Sequence, residues 1–222
     1  MNMKIWLLAA CSIFLLAIAC KKADYLTDDG VHSAKTPLTA YEYLKNHSWK
    51  SFDTLVMIID HYNLQEEVNS VGTIFVPTNR SINLYMEMRR AAKQQIDENA
   101  KYTMDSLYKD ITADSLRQYF FADKLPMSAL TGEDPVGIKA KTGQQRAYRK
   151  VRQTGYTTTV TPVYFMFFIN VRGTIDDPNN PPPANDPGYD VTVRCQTTGI
   201  ETRDGAGPLL HVLNNQHRFV RF

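Results

Sequence analysis

The stretch "GTIFVPTNRSI", residues 72–82, constrains this chain more than any other. Ile74, Phe75 and Val76 are β-formers in a block too short for a helix, and Pro77 ends it because proline has no N–H to give a sheet ladder. The block therefore predicts a buried strand. Thr78 or Asn79 then accepts from the free amides of a new helix, on which Ile82, Tyr85 and Met86 recur at helical spacing.

The flanks of this junction differ in kind. Before it, Thr39 with Glu42 three residues later has the form of a capping box, and Phe52, Leu55, Val56, Ile58, Ile59 and Tyr62 repeat at three and four behind Ser51 as cap. Residues 64–68 add another helical turn. After it, residues 80–100 continue as a polar helix, and Thr112 caps a helix carrying Leu116, Tyr119 and Phe120. From Ala122 onward Thr, Val, Tyr and Phe rise between Gly and Pro, predicting strands at 136–141, 145–151, 156–160, 163–171, 191–196, 209–213 and 217–222. Helices first and strands afterward imply one α+β domain over 37–222, its N-terminal helices packed on antiparallel C-terminal strands. The Pro-rich run 176–188 is an exposed loop, since proline cannot pair there.

The N-terminus carries its own message. Lys4, an apolar run from Ile5 to Ala19 broken by Ser12, and Lys21 and Lys22 beyond it make residues 1–19 an export signal too short to span a bilayer. Leu16, Ala17, Ile18, Ala19 and Cys20 resemble a lipobox, with Cys20 the acylated residue that anchors the chain in a lipid bilayer. Residues 20–36 read as a flexible tether. Cys11 leaves with the signal and Cys20 carries lipid, so Cys195 has no partner for a disulfide and reads as a small strand residue. A net charge of +2 gives no call for nucleic acid.

"TIFVPTNRSI" resembles the first signature of fasciclin domains, and "LLHVLNNQHRFVRF", residues 209–222, their second; "FDTLVMIIDHYNL" is similar to the family's opening helix. The resemblance implies a fasciclin-like wedge built around Thr73, Phe75, Pro77, Thr78 and Asn79, with His211 as the histidine of the second box. All six are structural residues first. Many fasciclin domains carry Tyr-His after the helix that follows the first box, a pair associated with cell adhesion, whereas Tyr119 here precedes Phe120. "DGAGP", residues 204–208, replaces the Asn-Gly that usually precedes the second box.

No phosphate loop, Gly-x-Ser-x-Gly elbow, His-Glu-x-x-His or Cys-x-x-Cys is present in the sequence, so the expectation is a non-catalytic protein without cofactor or metal. A hairpin turning at Asn214 and Asn215 would put His211 and His217 on opposite faces. Asp176, Asp177, Asp186 and Asp190 are spaced as in no calcium loop and read as solvated. Lys139, Lys141, Arg146, Tyr148, Arg149, Lys150 and Arg152 form a basic segment, either the wet face of a hairpin or a surface for acidic glycans or anionic lipid heads. The function expected is a lipid-anchored cell-envelope binding or adhesion module. Its likeness to lipoproteins of Bacteroidetes implies outer-membrane attachment and a role accessory to glycan uptake. The alternatives are an assembly partner binding an outer-membrane protein and, more remotely, a hydrolase with unrecognised carboxylates. Tyr148, Tyr156, Tyr164 and Tyr189 would serve glycan or protein: an aromatic row beside the polar loop favours glycan, a flat apolar patch favours protein.

Overall fold

The computed structural model describes residues 34–156 and 162–220. The signal segment 1–19, Cys20, the tether up to residue 33 and the strand expected beyond Tyr156 lie outside them. Among the described residues six helices occupy the N-terminal half: α1 Ala40–Lys45, α2 Asp53–His61, α3 Gln65–Ser70, α4 Asn79–Gln94, α5 Met104–Asp110 and α6 Ala113–Arg117. The eight strands are β1 Ala34–Lys35, β2 Thr73–Val76, β3 Phe120–Phe121, β4 Val136–Lys139, β5 Gln145–Arg152, β6 Tyr164–Asn170, β7 Val191–Glu201 and β8 Leu209–Leu213. The chain is α+β.

The capping box forms: Glu42 N–H donates to Thr39 Oγ1 at 3.2 Å and Thr39 N–H to Glu42 Oε2 at 2.9 Å, which holds the Glu42 carboxyl below the usual carboxylate range. At α2 the expected Ser51 cap is absent; the N-cap position is Phe52, which has no side-chain acceptor. Thr54 N–H donates instead to Asn79 Oδ1 at 2.8 Å, and Asn79 Nδ2 donates to the Lys50 carbonyl at 2.7 Å. A residue 25 positions away thus caps α2. Thr78 caps α4, accepting from Ser81 N–H while its hydroxyl donates to Asn215 Oδ1 at 2.8 Å. The strand-to-helix junction therefore pins the start of another helix and the C-terminal turn.

The sheet corrects the expectation of antiparallel strands confined to the C-terminal half. Its order is β3-β2-β8-β7-β6-β5-β4, with β1 added to β7, and both β2 on β8 and β1 on β7 run parallel. N-terminal strands therefore complete the sheet. Lys141 N–H donates to the Phe120 carbonyl at 2.9 Å, bringing the chain just past β4 to β3 at the opposite edge and nearly closing the sheet. Strand β1 lies within the stretch read as tether: Ala34 and Lys35 pair with Ile200 and Glu201, and Thr36 N–H donates to the Glu201 carbonyl at 2.9 Å.

All four residues of β2 are buried, and Phe75 lies at the centre of an aromatic cluster. Its ring stacks on Phe168 at 4.4 Å and meets Phe121 edge-on at 5.5 Å. Gly72 makes the approach to β3 possible. A Cβ there would sit 2.2 Å from the Ala122 carbonyl oxygen and 2.5 Å from Asp123 C, both backbone atoms. Gly72→Ala is expected to lower stability by about 3 kcal/mol in urea denaturation, opposite in sign to the gain of about 0.4–1 kcal/mol from stiffening the unfolded chain at an unstrained site. A raised urea midpoint would contradict this packing.

The hairpin expected at Asn214 and Asn215 does not form, and residues 217–220 make no regular strand. Asn214 Oδ1 accepts from the N–H groups of Gln216 and His217 at 3.2 Å, which curls the chain inward. His217 and Phe219 then enter the core, Phe219 stacking on Tyr119 at 5.9 Å.

Candidate functional site

Cross-strand register sorts β5, β6 and β7 onto two faces, because alternate side chains point to opposite sides of a sheet. Tyr148, Phe168 and Val193 form one row, buried against the helices. The other face carries Ala147, Ile169 and Thr192 in one row, and Arg149, Phe167 and Arg194 in the next. There the Arg194 guanidinium lies 3.9 Å from the Phe165 ring centre and that of Arg149 lies 6.0 Å from Phe167. Half-buried aromatics and guanidinium groups thus alternate across an outward sheet face.

The connection from β6 to β7 folds back over this face. Asp190, 5 % exposed, accepts from Arg172 N–H at 2.8 Å and Asp176 N–H at 3.0 Å, while Asp176 Oδ2 accepts from Asp190 N–H at 2.8 Å. The two aspartates clasp the base of the Pro-rich loop. Asp177 and Asp186 accept from the amides of Asn179 and Gly188, making local turns. Four acids weighed as calcium oxygens are thereby used as backbone brackets, and no group of three or more metal-ligating side chains occurs among the described residues. Ala147, Ile169 and Val171 pack with Ile175 as a small second core.

A pocket of about 190 Å³ opens between loop and sheet, with Arg149, Ile169 and Thr192 on its floor and Asp176, Pro178 and Tyr189 on its walls. The Arg149 Nε is buried and has no hydrogen-bond partner among the described residues. The guanidinium that lines the pocket thus carries an unmatched N–H.

The basic segment does not form one surface. Arg146, 4 % exposed, donates to Gln118 Oε1 at 3.0 Å, Gln144 Oε1 at 2.6 Å and the Gln145 carbonyl at 2.9 Å, and burial lowers its pKa. Tyr148 is buried in the core, which raises the pKa of its phenol. Lys150 donates to the Leu130 carbonyl beside the Tyr164 ring, on the core side. Arg152 pairs with Tyr164 on that same face, Lys141 reaches Glu67 at 3.5 Å, and Lys139 is exposed. Strand alternation turns Arg146, Tyr148 and Lys150 to the side that meets the core, while Lys139, Lys141 and Arg152 are exposed, so the segment is split rather than presented as one face. Arg149 is the member of the segment that fronts the pocket.

The residues singled out in the segments 73–79 and 209–213 hold structure together. Thr73 Oγ1 donates to the Asp123 carbonyl and accepts from Leu125 N–H, and Pro77 is buried where β2 ends. His211 is fully buried beside Phe75; its Nε2 donates to the Leu125 carbonyl at 3.0 Å and its Nδ1 accepts from Gly199 N–H at 3.2 Å. Gly199 sits in a bulge of β7 at φ 76°, a conformation that suits glycine and turns its amide toward the ring. Cys195 is buried, which pushes its thiol pKa far up and leaves it unreactive.

A larger, more open cavity of about 490 Å³ lies between Met88, Val191–Val193 and residues 214–218. Two of its polar groups are already engaged: His217 Nε2 pairs with the Tyr119 hydroxyl at 2.8 Å, and Asn214 Oδ1 holds two amides.

Phe165, Phe167, Thr192 and Arg194 were not legible as site residues. The alternation of Thr192, Arg194 and Gln196 with Val193 and Cys195 was the available signal that β7 has one outward face. No family model matches this chain, and no curated protein matches it.

Proposed function

We propose that this chain is a non-catalytic, lipid-anchored binding module of the cell envelope that recognises glycan through the outward face of β5–β7. The observation that carries this reading is the row of Phe165 and Phe167, interleaved with Arg149 and Arg194, beside a polar loop and its pocket. Aromatic faces stack on sugar rings while adjacent polar groups fix their hydroxyls. The fasciclin-like wedge belongs to the same proposal; its support is β2 running into α4 and lying parallel to β8, so that both signature segments meet, with Phe75 opposite His211. Acylation at Cys20 and attachment to the outer membrane, accessory to a glycan-uptake system, rest on the N-terminal sequence alone. No helix among the described residues is long and apolar enough to cross a membrane.

The proposal has no catalytic step, and both oxygens of Asp190 at the loop base serve backbone amides. A second reading, a docked protein partner, is favoured by Trp49, which is 85 % exposed in the turn between α1 and α2. The experiment is binding of the full chain, held in a non-glycosidic detergent, to a broad glycan array. Retained signal on a defined glycan class is expected. No signal on any glycan would overturn the reading and move attention to an envelope pull-down.

A further inference from the structure

The ligand's charge class can be read from the pocket at the loop base; this step rests on the glycan reading above. Arg149 brings a buried Nε with no partner among the described residues, and its guanidinium makes no ion pair within 4.0 Å there. Against it stands Asp176, whose Oδ2 is spent on Asp190 N–H while its other oxygen has no partner among those residues. Thr192 adds an exposed hydroxyl and Tyr189 a half-buried ring. The lining of one pocket thus offers a strong donor and a strong acceptor, with a hydroxyl able to do either.

Charge selects among the ligands that fit this pattern. Two carboxylates, Asp176 and Asp190, line the pocket against one guanidinium, so an anionic ligand that reached Arg149 would also meet their negative charge. A neutral vicinal diol avoids this repulsion: one hydroxyl accepts from Arg149 and its neighbour donates to Asp176. Each ligand oxygen that does so takes up a charge-assisted hydrogen bond. At about 190 Å³ the pocket falls below the roughly 300–1,000 Å³ of sites that enclose a whole drug-sized ligand. It therefore seats a single sugar unit, the rest of a chain running along the Phe165–Phe167 row.

We infer that the pocket between Arg149, Asp176, Tyr189 and Thr192 is a subsite for one uncharged sugar residue, gripped by its vicinal hydroxyls. This excludes the acidic glycans that the basic segment suggested. The test is titration of the full chain in a non-glycosidic detergent with neutral hexasaccharides (cello-, malto-, xylo- and mannohexaose) and with hexagalacturonate, at about 50 and about 500 mM NaCl. The expected result is binding of a neutral hexasaccharide that changes less than about twofold with salt and weakens about tenfold in both Arg149→Gln and Asp176→Asn. Tyr189→Ala, which leaves the Asp176–Asp190 clasp alone, serves as a third variant and is expected to weaken binding as well. Neutral binding indifferent to all three variants would overturn the subsite while sparing the glycan reading. Salt-sensitive binding of hexagalacturonate alone would do the same. Absence of binding to every saccharide would overturn both.

Discussion

Moving the chain from pH 7 to pH 5 is expected to lower its folding stability by about 4 kcal/mol, about 2 from each of two buried imidazoles. Burial lowers the pKa of His211 to about 4 and that of His217 to about 3, from an ordinary value near 6.5. Both rings are held in their neutral forms. His211 donates from Nε2 to the Leu125 carbonyl and accepts at Nδ1 from Gly199; His217 Nε2 pairs with the Tyr119 hydroxyl, which accepts from Val220 N–H at 3.0 Å. Below pH 6.5 the unfolded chain binds these protons and the folded chain does not. The stability is thus fully present above pH 6.5 and falls by about 1.4 kcal/mol per ring for each pH unit until the folded pKa is reached. At pH 5 ordinary carboxylates have barely begun to titrate, which isolates the imidazoles. Urea unfolding at the two pH values measures the difference. His217→Gln keeps a hydrogen-bonding partner for Tyr119 and removes one titration, so about half the pH dependence is expected to remain. Equal stability at pH 7 and pH 5 would contradict the burial of both rings.

Phe75→Ala is expected to cost about 4 kcal/mol, the range for deleting a fully buried aromatic. The ring is 0 % exposed and touches Phe121, Phe168 and His211, which come from β3, β6 and β8. Removing it leaves a cavity walled by three strands of one sheet, which cannot collapse without breaking register. Phe75→Leu, closer in volume, is expected to cost less than half as much. Denaturant midpoints for the two variants check this, and a cost below about 1 kcal/mol for Phe75→Ala would contradict the central placing of β2.

The contrast between core and site shows what periodicity can carry. Helices α2 and α4 and strands β2, β4, β5, β6 and β8 were legible because each buries a face with a clear period or stops at a turn residue. Helix α5 was passed over; its capping residue Thr103 is answered by Ser106, not by Glu or Gln. Strands β1 and β3 have two residues each and exist through pairing with distant segments, so no local pattern marks them. The C-terminal hairpin failed because Asn214 and Asn215, good turn residues in isolation, serve Thr78 and local amides, and because His217 and Phe219 fill space beside Tyr119. For the site, the sequence "YFMFFIN" of β6 is apolar on both faces, and only the pairing with Arg149 and Arg194 shows which aromatics look outward. The clasp of Asp176 and Asp190 spans 14 residues and depends on loop closure. Residue type drew attention to Arg149, yet Arg146, Tyr148 and Lys150 beside it turn inward by strand parity.

The central claim is that the outward face of β5–β7 binds glycan, and a paired array measurement tests it most directly. The full chain and its Phe165→Ala/Phe167→Ala variant are compared on the same glycans, with folding of both checked by thermal melting. Loss of about tenfold or more in binding by a folded variant is the expected result, since stacking on these rings supplies the contact surface. Binding undiminished in the folded variant would contradict the claim and place the recognition surface elsewhere on the molecule.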